Sequence, residues 1–198
     1  MTKTLEFLFD FGSPASYLAY KRLPALTART GARIDYVPML LGGVFKATGN
    51  ASPATIPAKG RWTSVDFRRW AKRHGTEFNF NPHFPINTMH LMRAATGLID
   101  DTRFMTYCDL VFDAMWRDPK NLGEPAELTP VIRRAGLEPD DFKALVERED
   151  VKDRLRATTE AAVARGVFGA PTFFVDDEMF FGQDRMDFVE EALVLPAS

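Results

Sequence analysis

From Lys3 to Phe11 the chain reads Lys-Thr-Leu-Glu-Phe-Leu-Phe-Asp-Phe, an apolar run of strand length whose density of Phe and Leu predicts a buried β-strand. Gly12 breaks the run. Ser13 is a good helix N-cap, Pro14 suits the first helical position, and Tyr17, Leu18, Tyr20 and Leu23 carry the pattern into an apolar-rich helix. A kink is expected at Pro24, whose nitrogen has no hydrogen to donate. Gly31 ends that helix, and residues 32–38 predict a second strand stopping at Pro38. Strand, helix, strand is a βαβ unit.

From Met39 to Asp150 the pattern changes to helices separated by loops rich in Pro and Gly. Helices are predicted over 66–74 and 88–98, and most clearly over 101–117, where Phe104, Met105, Cys108, Val111, Phe112 and Met115 share one helical face. Pro130 and Pro139 are each expected to open a shorter helix, and another spans 151–165 before Gly166. Strands return at 172–175 and 179–181, a hairpin around Asp176-Asp177-Glu178, and a helix over 184–193 closes the chain. The order is βαβ, a helical block, then ββα. No repeat or low-complexity linker separates the parts, so residues 1–38 with 151–198 are expected to form one α/β domain and 39–150 a helical domain inserted into it.

Composition narrows the function classes. The 198 residues are 45% hydrophobic and 26% charged, with 25 basic and 27 acidic side chains giving a formal net charge of -2. A chain of this length buries roughly 70% of its unfolded surface, and 17 Phe supply the core without disulfide or metal staples. The balance lacks the basic excess that a phosphate backbone requires, and no Lys/Arg run interleaved with aromatics is expected, which excludes nucleic acid as a partner. No stretch approaches about 18 uninterrupted apolar residues, so no membrane span is expected. The single cysteine, Cys108, excludes an internal disulfide, and a reducing cytoplasm is the expected home. It lies on the apolar face of its helix, as a core residue rather than a nucleophile. His74, His83 and His90 form no ligand set with metal spacing, and no metal is expected.

Ser13-Pro14-Ala15-Ser16 has the spacing of a Cys-x-x-Cys redox motif with hydroxyls in place of both thiols, at a strand-to-helix junction. Free N–H groups and the helix dipole favour an anion there. A serine is too weak an acid to be that anion, but its hydroxyl can donate a hydrogen bond to a thiolate brought by another molecule and lower that thiol's pKa. Taken alone, the motif is equally accounted for by an N-cap followed by a proline. Gly169-Ala170-Pro171-Thr172 precedes the third strand, where a cis peptide can turn the backbone edge of Ala170 toward the first helix; an ordinary trans proline on an edge strand is the alternative. Asp10, at the end of the first strand, is open to a structural or a tuning role.

Four ordered stretches together resemble one family: Phe9-Asp10-Phe11-Gly12-Ser13-Pro14-Ala15-Ser16-Tyr17-Leu18; Lys46-Ala-Thr-Gly49-Asn50 with Pro53, Pro57 and Lys59-Gly60; Val167-Phe168-Gly169-Ala170-Pro171-Thr172; and Gly182-Gln183-Asp184-Arg185. The chain is similar over almost its whole length to the 2-hydroxychromene-2-carboxylate isomerases, relatives of the kappa-class glutathione transferases in the thioredoxin-like disulfide-oxidoreductase superfamily. The resemblance implies an α/β thioredoxin-like fold with a large all-helical insertion, glutathione as cofactor, and a homodimer. It makes Ser13 the catalytic serine that holds the glutathione sulfur, and Ala170 with Pro171 the backbone clamp on its cysteine residue. Asn50 and Lys59 match residues around the tripeptide; Gln183, Asp184 and Arg185 match the pocket for its γ-glutamyl end. An ammonium and two carboxylates on glutathione call for one acid and several donors at separate points, which this set supplies. Without the other motifs, Gln183-Asp184-Arg185 reads as a helix N-terminus with an acidic first turn.

Lys46 and Asn87 are the candidate substrate contacts. Lys46 and Lys59 fall in a Gly/Pro-rich stretch without helical periodicity, which reads as a binding loop as readily as solvated surface, and Asn87 can serve as an N-cap instead. The implied activity is conversion of a 2-hydroxychromene-2-carboxylate to its ring-opened benzylidenepyruvate isomer, in aromatic-compound catabolism, by reversible addition of the glutathione thiolate. Two alternatives stay open: a kappa-like transferase that leaves glutathione in the product, and a non-catalytic thioredoxin-fold protein that binds thiols or peptides.

Overall fold

The computed structural model describes residues 3–194. Its sheet has four strands, β1 (Thr4–Phe9), β2 (Arg33–Pro38), β3 (Thr172–Val175) and β4 (Glu178–Phe181), in the order β2-β1-β3-β4. β1 runs parallel to β2 and antiparallel to β3, with Phe7 opposite both Tyr36 and Phe173. A central β1 explains its apolar run, because both of its faces are covered. Phe7, Phe9, Phe173 and Val175 enter the large core on one face, while Leu8 and Phe174 join Met39, Val44, Ala162 and Val167 on the other.

α1 (Pro14–Thr30) follows β1 directly. Ser13 caps it, its Oγ accepting from Ser16 N at 3.1 Å, and Gly31 at φ 69° closes it by donating to Thr27 O. Pro24 lies within this continuous helix. The helical block comprises α2 (Leu41–Thr48), α3 (Pro57–His74), α4 (Met89–Leu98), α5 (Phe104–Trp116), α6 (Pro125–Arg134) and α7 (Pro139–Glu147); α8 (Glu149–Ala164) leads back to β3. Single 3₁₀ turns occupy Pro53–Thr55 and Gln183–Arg185, and α9 (Met186–Val194) follows the second. The whole is a thioredoxin-like fold carrying a helical insertion, as the sequence predicts.

Three expectations are corrected. The stretch holding Lys46 and Lys59 is helical: Lys46 sits on α2, and α3 begins at Pro57, nine residues before the predicted start at 66. α2 is held by α8, where Leu40 N donates to Thr159 Oγ1 at 2.9 Å and Gly43 lies against the Thr159 methyl, so tertiary contact overrides a Gly-rich sequence. Pro125 opens α6 and Pro130 lies inside it, because the first-turn role was already filled. Charge is also uneven. α3 carries Lys59, Arg61, Arg68, Arg69, Lys72 and Arg73 against Asp66, with Trp62, Phe67 and Trp70 among them, a basic run interleaved with aromatics that the overall balance conceals. The exclusion of nucleic acid therefore rests on net charge alone.

Candidate active site

The β1–α1 junction brings Ser13 under the β3 end of the sheet. Its buried hydroxyl donates to the Ala170 carbonyl at 2.9 Å while accepting from Ser16 N. The Ala170–Pro171 peptide is cis. Two further contacts tie the segment down: Gly182 N donates to Pro171 O at 3.0 Å, and Thr172 Oγ1 donates to Gly169 O at 2.8 Å. Gly169 has no room for a side chain, since a Cβ there would stand 2.7 Å from the Phe181 ring. Asn50 Nδ2 donates to Phe168 O at 2.8 Å and so joins the loop after α2 to the same segment.

These residues open onto a cavity of about 550 Å³. Ser13, Asn50 and Ala170 line it together with six phenylalanines, Phe45, Phe67, Phe80, Phe84, Phe168 and Phe181. The rings come from α2, α3, the loop before α4, and the β3–β4 region, segments that no local sequence period links.

Asp10 lies at the cavity floor, fully buried. Its Oδ1 accepts from Gly12 N at 2.8 Å and from Thr88 Oγ1 at 2.7 Å, and its Oδ2 accepts from Leu41 N at 2.8 Å. One carboxyl thus pins the turn before Ser13, the start of α2 and the start of α4. Burial pushes its pKa above the ordinary 3.8, against the downward pull of those hydrogen bonds. A raised folded-state pKa contributes stability that is present below the unfolded value and is lost as pH rises through the folded one. In Asp10→Asn the amide nitrogen must face Gly12 N–H or Leu41 N–H, and one donor loses its acceptor. At acid pH, where the native carboxyl is neutral, the variant is expected to be about 1–3 kcal/mol less stable. The gap should narrow as pH rises above 4. Urea midpoints across pH check this, and a gap independent of pH would remove the carboxyl's charge from the account.

The other predicted residues divide. Gln183, Asp184 and Arg185 form the turn after β4, beside the clamp through the Gly182–Pro171 bond, but outside the cavity lining. Gln183 is buried: its backbone carbonyl accepts from Arg22 Nη1 at 2.8 Å, and its side-chain Oε1 has no partner among the described residues. Asp184 and Arg185 are exposed and paired with each other. Lys59 is exposed on α3 next to Gly60, and Gly60 rather than Lys59 lines the cavity. Lys46 faces a separate groove of about 740 Å³ between α2 and α8, with Arg93, Lys152 and Arg156. Asn87 borders a third pocket, its Oδ1 accepting from Met89 N at 3.0 Å, although Ile86 and Thr88 on either side of it line the Ser13 cavity. The structure therefore brings Ser13, Asn50 and Ala170 to one cavity, and does not bring Lys46, Lys59 or Asn87 to its lining. The phenylalanines are cavity residues that sequence reasoning left unassigned, and Asp10 is one it left open between a structural and a tuning role. Cys108 is buried, and burial pushes its thiol pKa well up, which keeps it inert.

Comparison with known proteins gives a consistent picture. Residues 4–194 match the DSBA-like thioredoxin domain family. The chain is 34% identical to a 2-hydroxychromene-2-carboxylate isomerase of Sphingobium xenophagum, over 98% of this chain and 100% of that protein. It is 28% identical to glutathione S-transferase kappa 1 of Homo sapiens, over 98% and 92%. A solved 2-hydroxychromene-2-carboxylate isomerase structure superposes with a TM-score of 0.86 at 30% identity, covering 96% of this chain and 94% of that one. The oxidoreductase DsbA of Xylella fastidiosa, at 18% identity and a TM-score of 0.62 over 98% and 84%, shares the fold.

Proposed function

Because this chain belongs to the 2-hydroxychromene-2-carboxylate isomerase family of DSBA-like thioredoxin domain proteins, we propose that it is a glutathione-dependent isomerase of a ring-fused aromatic 2-hydroxychromene carboxylate. The observation that carries the reading is the Ser13 hydroxyl, set at the N-terminus of α1 and bonded to the Ala170 carbonyl at the wall of a phenylalanine-lined cavity. The residues fit glutathione. Gln183 Oε1 is a buried acceptor without a partner among the described residues, suited to the ammonium end, and Asp184 and Arg185 offer one charge of each sign beside it. The backbone edge at Ala170 suits the cysteinyl unit, with Asn50 bonded to the neighbouring Phe168 carbonyl as an amide beside it, while Lys59, exposed next to Gly60, is the cation for the remaining carboxylate.

Bound glutathione supplies a thiolate that adds reversibly to the conjugated system and leaves again, so that the ring opens and a carbon–carbon bond turns. Ser13 holds the sulfur's negative charge: its single hydroxyl hydrogen, donated to Ala170 O in the free protein, turns to the sulfur, and the α1 dipole adds to the field there. Pro14 and Ala15 form the lip next to Ser13, and the phenylalanine rings hold the flat substrate and keep water from the sulfur.

The same reading takes 1–38 with 151–198 as the thioredoxin-like domain, 39–150 as the inserted helical domain, and the protein as a cytoplasmic homodimer. Among the described residues no helix is long and apolar enough to cross a membrane. Conversion of a hydroxychromene carboxylate is expected only when glutathione is present; equal rates without it would overturn the reading. Glutathione unchanged at the end of the reaction indicates isomerisation. Consumption one for one indicates transfer, the second reading, which the apolar cavity walls favour because they suit any flat electrophile.

A further inference from the structure

The cavity beside Ser13 is walled mainly by apolar rings, and its hydroxyl and amide side chains, Ser13, Asn50, Ser52, Thr63 and Thr88, carry no charge. Phe45, Phe67, Phe80, Phe84, Phe168 and Phe181 present rings to it, and Pro85 and Ile86 continue the apolar surface. Among the described residues the one ionisable side chain in the lining is an acid, Asp10. Its oxygens are already taken by Gly12 N, Leu41 N and Thr88 Oγ1, so it is fixed at the floor and cannot swing away. Lys46, the cation matched to the substrate, lies in the groove between α2 and α8, and Lys59, matched to glutathione, lies on the exposed side of α3 outside the lining.

A carboxylate entering this space would leave water for a low-dielectric wall of rings and approach a buried acid. An aromatic ring entering it would give up water for edge and face contacts with other rings. The two ends of a hydroxychromene carboxylate thus have opposite preferences. The ring goes in and the charged end stays in the water at the mouth.

We propose that the site recognises its substrate as an uncharged aromatic body, with the carboxylate contributing nothing to recognition, so that neutral conjugated aromatic carbonyl compounds are substrates alongside the acid. This rests on the glutathione-dependent reading above and narrows it. The chemistry is unchanged when the charge is removed: the sulfur that adds to the conjugated carbon is the sulfur that leaves, no electrons are gained or lost, and the ketone carbonyl next to the double bond, which accepts the electron pair and returns it when the sulfur leaves, is not the group that is esterified.

The test pairs one hydroxychromene carboxylate with its own methyl ester, which keeps every reacting atom and deletes the charge, each assayed with and without glutathione. A site that paired the carboxylate with a cation would favour the acid by roughly 10- to 100-fold in kcat/KM. Here kcat/KM for the ester is expected to equal that for the acid within about threefold, or to exceed it, the deleted charge having no partner to lose. Glutathione-dependent turnover of the acid with the ester more than about threefold poorer, the loss of a charge-assisted contact, would overturn this inference and leave the proposed function standing. Turnover of neither compound, or turnover indifferent to glutathione, would overturn both.

Discussion

Ser13→Ala is expected to lower glutathione-dependent kcat/KM about 100-fold, the scale of one charge-assisted hydrogen bond to a thiolate in a site screened from water. The hydroxyl does two jobs that the experiment must separate. Its oxygen caps α1 by accepting from Ser16 N, and its hydrogen, bonded to Ala170 O in the free protein, is the donor for sulfur. Alanine removes both, adding a loss of about 1 kcal/mol in stability from the cap. Glycine at an N-cap costs only a few tenths of a kcal/mol, so Ser13→Gly removes the donor with the helix start nearly intact. The two variants should therefore share the activity loss and differ in urea midpoint. Ultraviolet titration of bound glutathione should show the thiol pKa higher in both, because the thiolate has lost a donor. An unchanged thiol pKa would take Ser13 out of the mechanism.

How much of this could be read from the sequence follows from how local each signal is. The β1–α1 junction was legible because Phe9, Gly12, Ser13 and Pro14 each make a local choice that agrees with its neighbours, and the β3–β4 hairpin because Asp176, the described non-glycine residue at positive φ, falls in its turn. α2 was not legible. Gly42 and Gly43 weaken helix propensity, and what favours the helix is Thr159, more than a hundred residues away. α3 hid its first half because Gly60 and Thr63, on its inner face, border a cavity rather than the core, so the apolar period is faint.

The site shows the same division. Ser13 and Ala170 sit at element ends, where position in sequence nearly fixes position in space. On a helix, consecutive residues point about 100° apart. Lys46 follows Phe45, and Lys59 precedes Gly60, yet in each pair the uncharged residue is the one that lines the Ser13 cavity. Without helical periodicity in the stretch, nothing in the sequence decides which neighbour faces inward. The phenylalanine walls were counted in the composition but could not be assembled, since their contact depends on α5 and the segment before α4 meeting over the β1–α1 turn.

Trp116 is the residue that makes that meeting. It is fully buried at the end of α5, its Nε1 donates to Phe11 O at 2.7 Å two residues before Ser13, and its ring lies 5.9 Å from Phe80 and 6.0 Å from Phe84, both of which line the cavity. Trp116→Ala is expected to cost about 3–5 kcal/mol, the usual range for emptying a large aromatic from a packed core. For a chain of this length that lowers Tm by roughly 10 °C. Trp116→Phe keeps a ring against Phe80 and Phe84 but leaves the Phe11 carbonyl without its donor, a loss of about 1–3 kcal/mol. The two changes should also part in kinetics. Alanine lets the cavity wall collapse, so KM for the aromatic substrate rises, and because it too loses the donor to Phe11 O it also frees the turn that carries Ser13, so kcat falls as well. Phenylalanine preserves the wall but frees the turn that carries Ser13, so kcat falls more than KM rises. Calorimetry with steady-state kinetics on both variants checks this. A phenylalanine variant as unstable as the alanine one would assign the stability to the hydrogen bond rather than to packing. An alanine variant that keeps its KM would show that Phe80 and Phe84 hold the wall without the indole behind them.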